Sequence, residues 1–424
     1  MSLPKPRAFL RRTTQLVLVT LPAFGGRGVQ FIALAVMALV VTPADYGRFA
    51  TLQVLVLGLA SITSSTMGAS ANATAARAAR FGLHGVRPIL SMLLAVRRRT
   101  LIVNALVSAV AIPAGYAIVV GAPADKLLAL VAIGLLSAAL PVGETVVAVV
   151  AGTGWYRTAS WIDAGRAVVG AGLALLLGVF AGPWWATVGL LSADVALALI
   201  AVVVAATSRH GAVVESSHGA RDGLVAGITA NVLGQVANWV VLWAVGAVGG
   251  AVGLGVYGVA LRFASVVTLA PQYFGKTVIG QLAAPDPTKN HWTPRSFVGM
   301  LAVLSVMGSA VAVGVLVIAF PALLDRYEGL MGMMVGVLVA TSFRAVLIGL
   351  GHVCVARRRW RTWVLADATS LLVTVVGVLV ALAGPSGVPG ATTVVLASAV
   401  ANLAGIATRL RGLSRPASTP NGLA

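Results

Sequence analysis

Long apolar runs, separated by short polar or Gly-Pro segments, make up almost the whole chain. Twelve runs are long enough to cross a bilayer as helices, which takes about 20 residues. They predict spans at 15–41, 49–72, 100–120, 127–151, 161–181, 186–207, 224–247, 255–281, 297–320, 330–353, 362–383 and 391–408. Pro271 interrupts the eighth and Arg344 the tenth. Polar residues inside the runs fall at helical spacing. The seventh places Asn231, Gln235 and Asn238 on one stripe, and the second does the same with Gln53, Ser61, Ser64, Gly68 and Asn72. In the eighth, Arg262, Ser265, Leu269, Gln272 and Lys276 are three or four apart, so both cations share a face. Gln30 lies one turn from Arg27 in the first.

The pattern repeats. Tyr46-Gly47 recurs as Tyr257-Gly258, and Tyr156-Arg157-Thr158 as Trp360-Arg361-Thr362. An aspartate follows each arginine at the same distance, Asp163 and Asp367, and Gly182-Pro183 and Gly384-Pro385 close those two spans. Ordered matches at a near-constant offset of half the chain predict a duplication. The expected fold is all-α and integral to the membrane, with about twelve helices in two pseudo-symmetric six-helix bundles, 1–210 and 211–424. An even number of spans gives the halves the same orientation, a layout of secondary transporters with the substrate between the repeats.

Composition narrows the class. Hydrophobic residues make up 59% and charged residues 10% of 424, against about 25% charged in a soluble domain. The first run is too long for a signal-peptide core and reads as an uncleaved first helix. A net charge of +19 raises the question of nucleic acid, but its distribution answers it. Outside the spans, only Arg48, Lys126 and Arg326 fall on one side, while clusters such as Arg97-Arg98-Arg99 and Arg357-Arg358-Arg359 fall on the other. This asymmetry follows the positive-inside rule and places both termini in the cytoplasm. The basic balance therefore sets topology, and no nucleic-acid partner is expected. The longest loop, 73–99, is expected either as a solvated basic loop or as an amphipathic helix on the membrane surface. The single cysteine, Cys354, excludes an internal disulfide, and no Cys/His cluster points to a metal or other cofactor.

Nine ionisable residues lie within spans: Arg27, Arg166, Arg262, Lys276 and Arg344, with Glu144, Asp163, Asp194 and Asp367. A charge at bilayer depth costs about 2.5–3.5 kcal/mol on insertion scales, so each must find protein, water or ligand. Asp163 and Arg166 are spaced to pair on one helix face. Glu144 and Asp194 are left to Arg344 or to water. Asp163 and Asp367 lie near the ends where loop arginines can reach them. Spans one, two, seven and eight carry Arg27, Arg262 and Lys276 and no acid, which describes a wet, positive cavity suited to an anion. Packing by small and amide residues accounts for the Ser, Gly and Asn positions, but not for the cations.

Pro43-Ala44-Asp45-Tyr46-Gly47-Arg48-Phe49-Ala50, following a helix with a basic residue at mid-span, resembles a hallmark of bacterial polysaccharide flippases. The segment 255–264 resembles its counterpart in their second half, and Gly154-Trp155-Tyr156-Arg157 fits their inner loop before the fifth helix. The chain thus resembles the Wzx-like polysaccharide/O-antigen branch of the multidrug/oligosaccharidyl-lipid/polysaccharide (MOP) exporter superfamily. The resemblance implies a V-shaped, MATE-like transporter of the bacterial cytoplasmic (inner) membrane, working by alternating access in cell-surface polysaccharide biosynthesis. It implies a central cavity lined by helices one, two, seven and eight. Basic residues there would hold the pyrophosphate of an undecaprenyl-type lipid-linked oligosaccharide. Carried to this chain, that role falls to Arg27, Arg262 and Lys276, with Arg48 at the outer rim. The amides Gln30, Gln53, Asn231, Gln235 and Asn238 would contact sugars, and Glu144, Asp163 and Asp367 are candidates for ion coupling. Expected partners are membrane lipid and glycosyltransferases or a polymerase of the same pathway. Two alternatives stand beside this reading. One is a cation-coupled multidrug antiporter of the same fold, although such exporters usually carry acids in helices one, seven or ten, where this chain has none. The other is a membrane glycan polymerase or ligase, for which the outer loops are short and carry no paired catalytic acids. Enzymatic activity is not expected.

Overall fold

The computed structural model describes residues 6–80, 85–121, 126–207, 219–283, 293–357 and 359–414. The elements are α1 (Pro6–Val40), α2 (Pro43–Arg80), α3 (Val86–Val120), α4 (Leu127–Ser137), α5 (Ala139–Gly152), α6 (Tyr156–Ala181) and α7 (Pro183–Ala206). The second half follows with α8 (Gly219–Ala283), α9 (Pro294–Ala319), α10 (Pro321–Arg326), α11 (Leu330–Ala356), α12 (Trp360–Leu382) and α13 (Gly387–Ser414). Among the described residues, 11 stretches are long and apolar enough to cross a membrane. One of them, Val225–Thr268, has 44 residues, about twice a single crossing. It lies in α8, which breaks at Gly250 (φ 60°, ψ −161°). That backbone conformation is open to glycine and strained for other residues. The two arms of α8 are therefore the seventh and eighth predicted helices, which reconciles eleven stretches with twelve crossings.

Chain chemistry sets the other boundaries. Gly182 (φ 90°) ends α6 and Pro183 opens α7, a glycine stop followed by a proline start. Thr293 and Ser296 form a reciprocal capping box at the start of α9. α11 runs unbroken through Arg344, and the backbone of α8 stays helical through Pro271. Residues 73–99 correct the expectation of a loop or a separate surface helix. α2 continues to Arg80 and α3 begins at Val86. Arg97 is part of the reason: Nη1 donates to the Met67 carbonyl (2.8 Å) and Nη2 to Ser70 Oγ, tying α3 to α2.

Helices α1–α7 pack mainly on one another, as do α8–α13, and the chief seam between the two groups is α2 against α8. The boundary expected at 210 lies outside the described residues. Large apolar side chains such as Leu128, Phe180 and Ile318 point outward from the bundle, as a lipid-facing surface requires.

The repeated Tyr-Gly dipeptides meet at this seam. A Cβ on Gly258 would stand 2.4 Å from Ala50 Cβ, and one on Gly255 would stand 2.3 Å from the Pro43 carbonyl oxygen. Only glycine permits this approach. Close by, Tyr327 donates to the Ala38 carbonyl (2.9 Å) and Arg326 Nη2 to the Val41 carbonyl (2.8 Å). These contacts seal the seam at the end where α1 turns into α2. Gly258→Leu is expected to wedge it apart. Spin labels at Ala44 and Glu328 should report a longer mean distance, whereas an unchanged distance in a folded variant contradicts the sealing role.

Candidate functional site

The site is built from polar groups on α2 and the two arms of α8. Arg262 and Gln53 each lie roughly 15–20 Å along their helices from the sealed end, at 1.5 Å per residue. Arg262 Nη2 donates to Gln53 Oε1 across the seam, and the buried Tyr46 lies close to the same guanidinium. No carboxylate lies within ion-pair distance of Arg262 among the described residues. Its Nε is buried without an acceptor. Further from the sealed end, Gln235 Nε2 donates to Ser61 Oγ (2.7 Å) and Asn238 Nδ2 to Gln235 Oε1 (3.1 Å). Trp239 Nε1, a second buried donor without an acceptor, faces Gly58. Unsatisfied buried donors are costly, and these two face the same seam, while others such as Asn104 Nδ2 and Arg409 Nε lie elsewhere. A ligand seated among them would be rich in acceptors.

Arg27 corrects the picture of an uncompensated cation. Its Nη2 reaches Asp163 Oδ1 on α6 (3.2 Å) and its Nη1 donates to Gln30 Oε1 (2.9 Å). α1 and α6 pack closely enough for this because Gly26 lies directly on Ala164. Just past Pro22, the Ala23 N–H has turned to Ser160 Oγ (3.1 Å). Arg166 is the hub of the same cluster. It stands 3.6 Å from Asp163, as its helical spacing predicts, and 3.3 Å from Glu144, and it holds Asp194 through Nε (2.8 Å) and Nη2. Glu144 and Asp194 therefore pair with Arg166 and not with Arg344. Gly143 makes room for this, since a Cβ there would lie 2.9 Å from Asp194 Oδ1. Among the described residues, this cluster sets three carboxylates against two guanidiniums, one negative charge in excess.

In the second half, Asp367 accepts from Arg409 Nη2 (2.7 Å), and Arg409 Nη1 donates to the Leu347 carbonyl. The expectation of loop arginines is corrected for both aspartates: Arg409 lies buried within α13, and Asp163 bonds to Arg27 and Arg166 within α1 and α6. Arg48, with a half-exposed side chain, pairs with Asp45 (3.0 Å) at the α1–α2 turn. Asn231 lies on the first arm of α8, on the stripe with Gln235 and Asn238. The side chain of Lys276 lies outside the described residues.

The structure thus joins Arg262, Gln53, Gln235 and Asn238 along one seam, and it puts Arg27 and Gln30 with Asp163 and Glu144 in the first half. Tyr46 and Trp239 were not singled out as site residues by the sequence. Helical spacing on α8 puts Trp239 one turn from Gln235, but only the contact with α2 shows its role.

No family model and no curated protein matches the sequence. Solved structures do match the fold. An inward-facing multidrug resistance MATE family transporter of the MOP superfamily superposes with a TM-score of 0.64 at 12% identity, over 94% of this chain and 98% of that one. The lipid II flippase MurJ, in an inward closed conformation, gives 0.62 at 11%, over 94% and 88%. A MOP superfamily transporter from Pyrococcus furiosus, described by the reverse polarity of its binding pocket, gives 0.57 at 14%, over 94% and 95%. The protein is a multi-pass membrane protein with the MOP transporter fold. The similar structures are transporters and a flippase, not enzymes.

Proposed function

We propose that the protein is a flippase that carries an undecaprenyl-pyrophosphate-type lipid-linked oligosaccharide across the bacterial cytoplasmic membrane, for cell-surface polysaccharide synthesis. The observation that carries this reading is Arg262, a cation at mid-membrane depth between the halves with no acid in reach among the described residues and an unsatisfied Nε. Such a group calls for an anionic or acceptor-rich cargo. Diphosphate oxygens would complete Arg262, with Lys276 further along the same helix and Arg27 of α1 as a further candidate donor. Gln53, Asn231, Gln235 and Asn238 would meet the first sugars, and the polyprenyl tail would stay in lipid. With both termini cytoplasmic, as the loop charges require, the sealed end faces outward. Cargo then enters from the cytoplasmic side, and export requires breaking the Tyr327–Ala38, Arg326–Val41 and Gly255–Pro43 contacts. Ion coupling falls to Glu144, Asp163 or Asp367. Glycosyltransferases or a polymerase of the same pathway would supply and use the cargo.

A second reading, a cation-coupled multidrug antiporter, draws on the acidic excess around Asp163, Glu144 and Asp194 and on the MATE fold neighbours. Reconstituted vesicles separate the two. The flippase reading expects translocation of a pyrophosphate glycolipid and no cation-driven efflux of a cationic dye. Robust dye antiport without glycolipid movement would overturn it.

A further inference from the structure

The second half contains a cation that neither the seam nor the ion-pair clusters absorb. Arg344 lies near the middle of α11, roughly 21 Å along it from Leu330 at 1.5 Å per residue. Its Nη2 rests against the first arm of α8 at Gly234, where a Cβ would come within 3.1 Å. Among the described residues it makes no hydrogen bond and no ion pair, and it is only partly buried. Asp367 and Arg409 act on it from beyond ion-pair distance. Asp367 is already engaged by Arg409 at 2.7 Å, so this interior holds two guanidiniums and one carboxylate, the opposite excess to that of the first half. Gly234 lies on its helix face between Asn231 and Asn238, three and four residues away, so the guanidinium borders the polar stripe of α8.

We propose that Arg344 is a second oxyanion-binding position, on the second-half side of the polar stripe of α8 and distinct from Arg262, bordered by Asn231 and Asn238 of the stripe that the seam also uses. A guanidinium held at this depth without an ion pair is stabilised by a bound phosphate or carboxylate, to which it donates a two-pronged pair of hydrogen bonds. The oxyanion has two sources, a phosphate of the lipid headgroup or a carboxylate on an acidic sugar. The inference goes beyond the proposed function, because it requires an oxyanion at Arg344 whatever the cargo of the seam.

The test uses purified full-length protein in detergent at low salt, with inorganic pyrophosphate and glucuronate as separate probes. Wild type and Arg262→Gln should both bind at least one probe at the second-half site, and Arg344→Gln should bind it at least about tenfold more weakly. Arg344→Lys should fall between, keeping the charge and losing the fork. Preference for pyrophosphate assigns the headgroup source, and preference for glucuronate the sugar source. Should Arg344→Gln not fold, phenylglyoxal labelling of wild type gives the same answer, since the preferred probe should slow modification of Arg344. No binding of either probe to wild type, equal binding by Arg344→Gln, or unprotected labelling overturns the proposal. Loss of probe binding in Arg262→Gln with full binding in Arg344→Gln would also overturn it while leaving the seam reading intact.

Discussion

Arg166→Leu is expected to cost about 3–5 kcal/mol of folding stability, the size seen when one partner is removed from a buried ion pair. The guanidinium is 8% exposed and holds Glu144, Asp163 and Asp194 at once. Without it, three carboxylates share Arg27. Arg166→Lys should recover little, because an ammonium lacks the planar fork that reaches three acids. Removing one acid as well, in Arg166→Leu/Asp194→Leu, should restore part of the loss, because the site becomes less negative and better matched to an apolar interior. Thermal unfolding in detergent checks the series. A single variant as stable as wild type would mean that the carboxylates find water or other donors, and that the cluster is not a structural unit.

The second large effect is on binding. Arg262→Ala should weaken a pyrophosphate glycolipid by about 10- to 100-fold, since a hydrogen bond to a charged group contributes about 1.5–3 kcal/mol. Its loss also frees Gln53 Oε1. Arg262→Lys should retain part of the affinity through charge alone. Arg27→Ala should lower affinity less, because much of its charge is already offset by Asp163, and should lower stability more.

How much of this was legible in the sequence differs by feature. Apolar runs placed most helices within a few residues, because length and hydrophobicity decide a membrane crossing. The two arms of α8 were read as separate spans, and Gly250 supplies the break between them. Residues 73–99 read as a loop in the sequence because Arg97 looks like any loop cation; only in the fold do the Met67 carbonyl and Ser70 accept from it. Charge pairing was legible only within a helix. The 3-residue spacing of Asp163 and Arg166 gave that pair, whereas the links of Arg166 to Glu144 and Asp194, and of Arg27 to Asp163, depend on which helices are neighbours. The stripe on the first arm of α8 was visible as a polar face, but its attachment to Ser61 and the orphan Trp239 Nε1 belong to tertiary packing. The Tyr-Gly repeat was read as a mark of duplication; that its two copies pack against each other is a property of the seam.

The most direct test of the central claim, that Arg262 holds an oxyanion of the cargo between the halves, is native mass spectrometry. It would compare wild type, Arg262→Ala and Arg27→Ala for binding of an undecaprenyl-pyrophosphate glycolipid in lipid-mimetic detergent. The account predicts saturable binding to wild type, reduced by about 10-fold or more in Arg262→Ala and less in Arg27→Ala. Equal binding by wild type and Arg262→Ala, or no binding by any of the three, would contradict it.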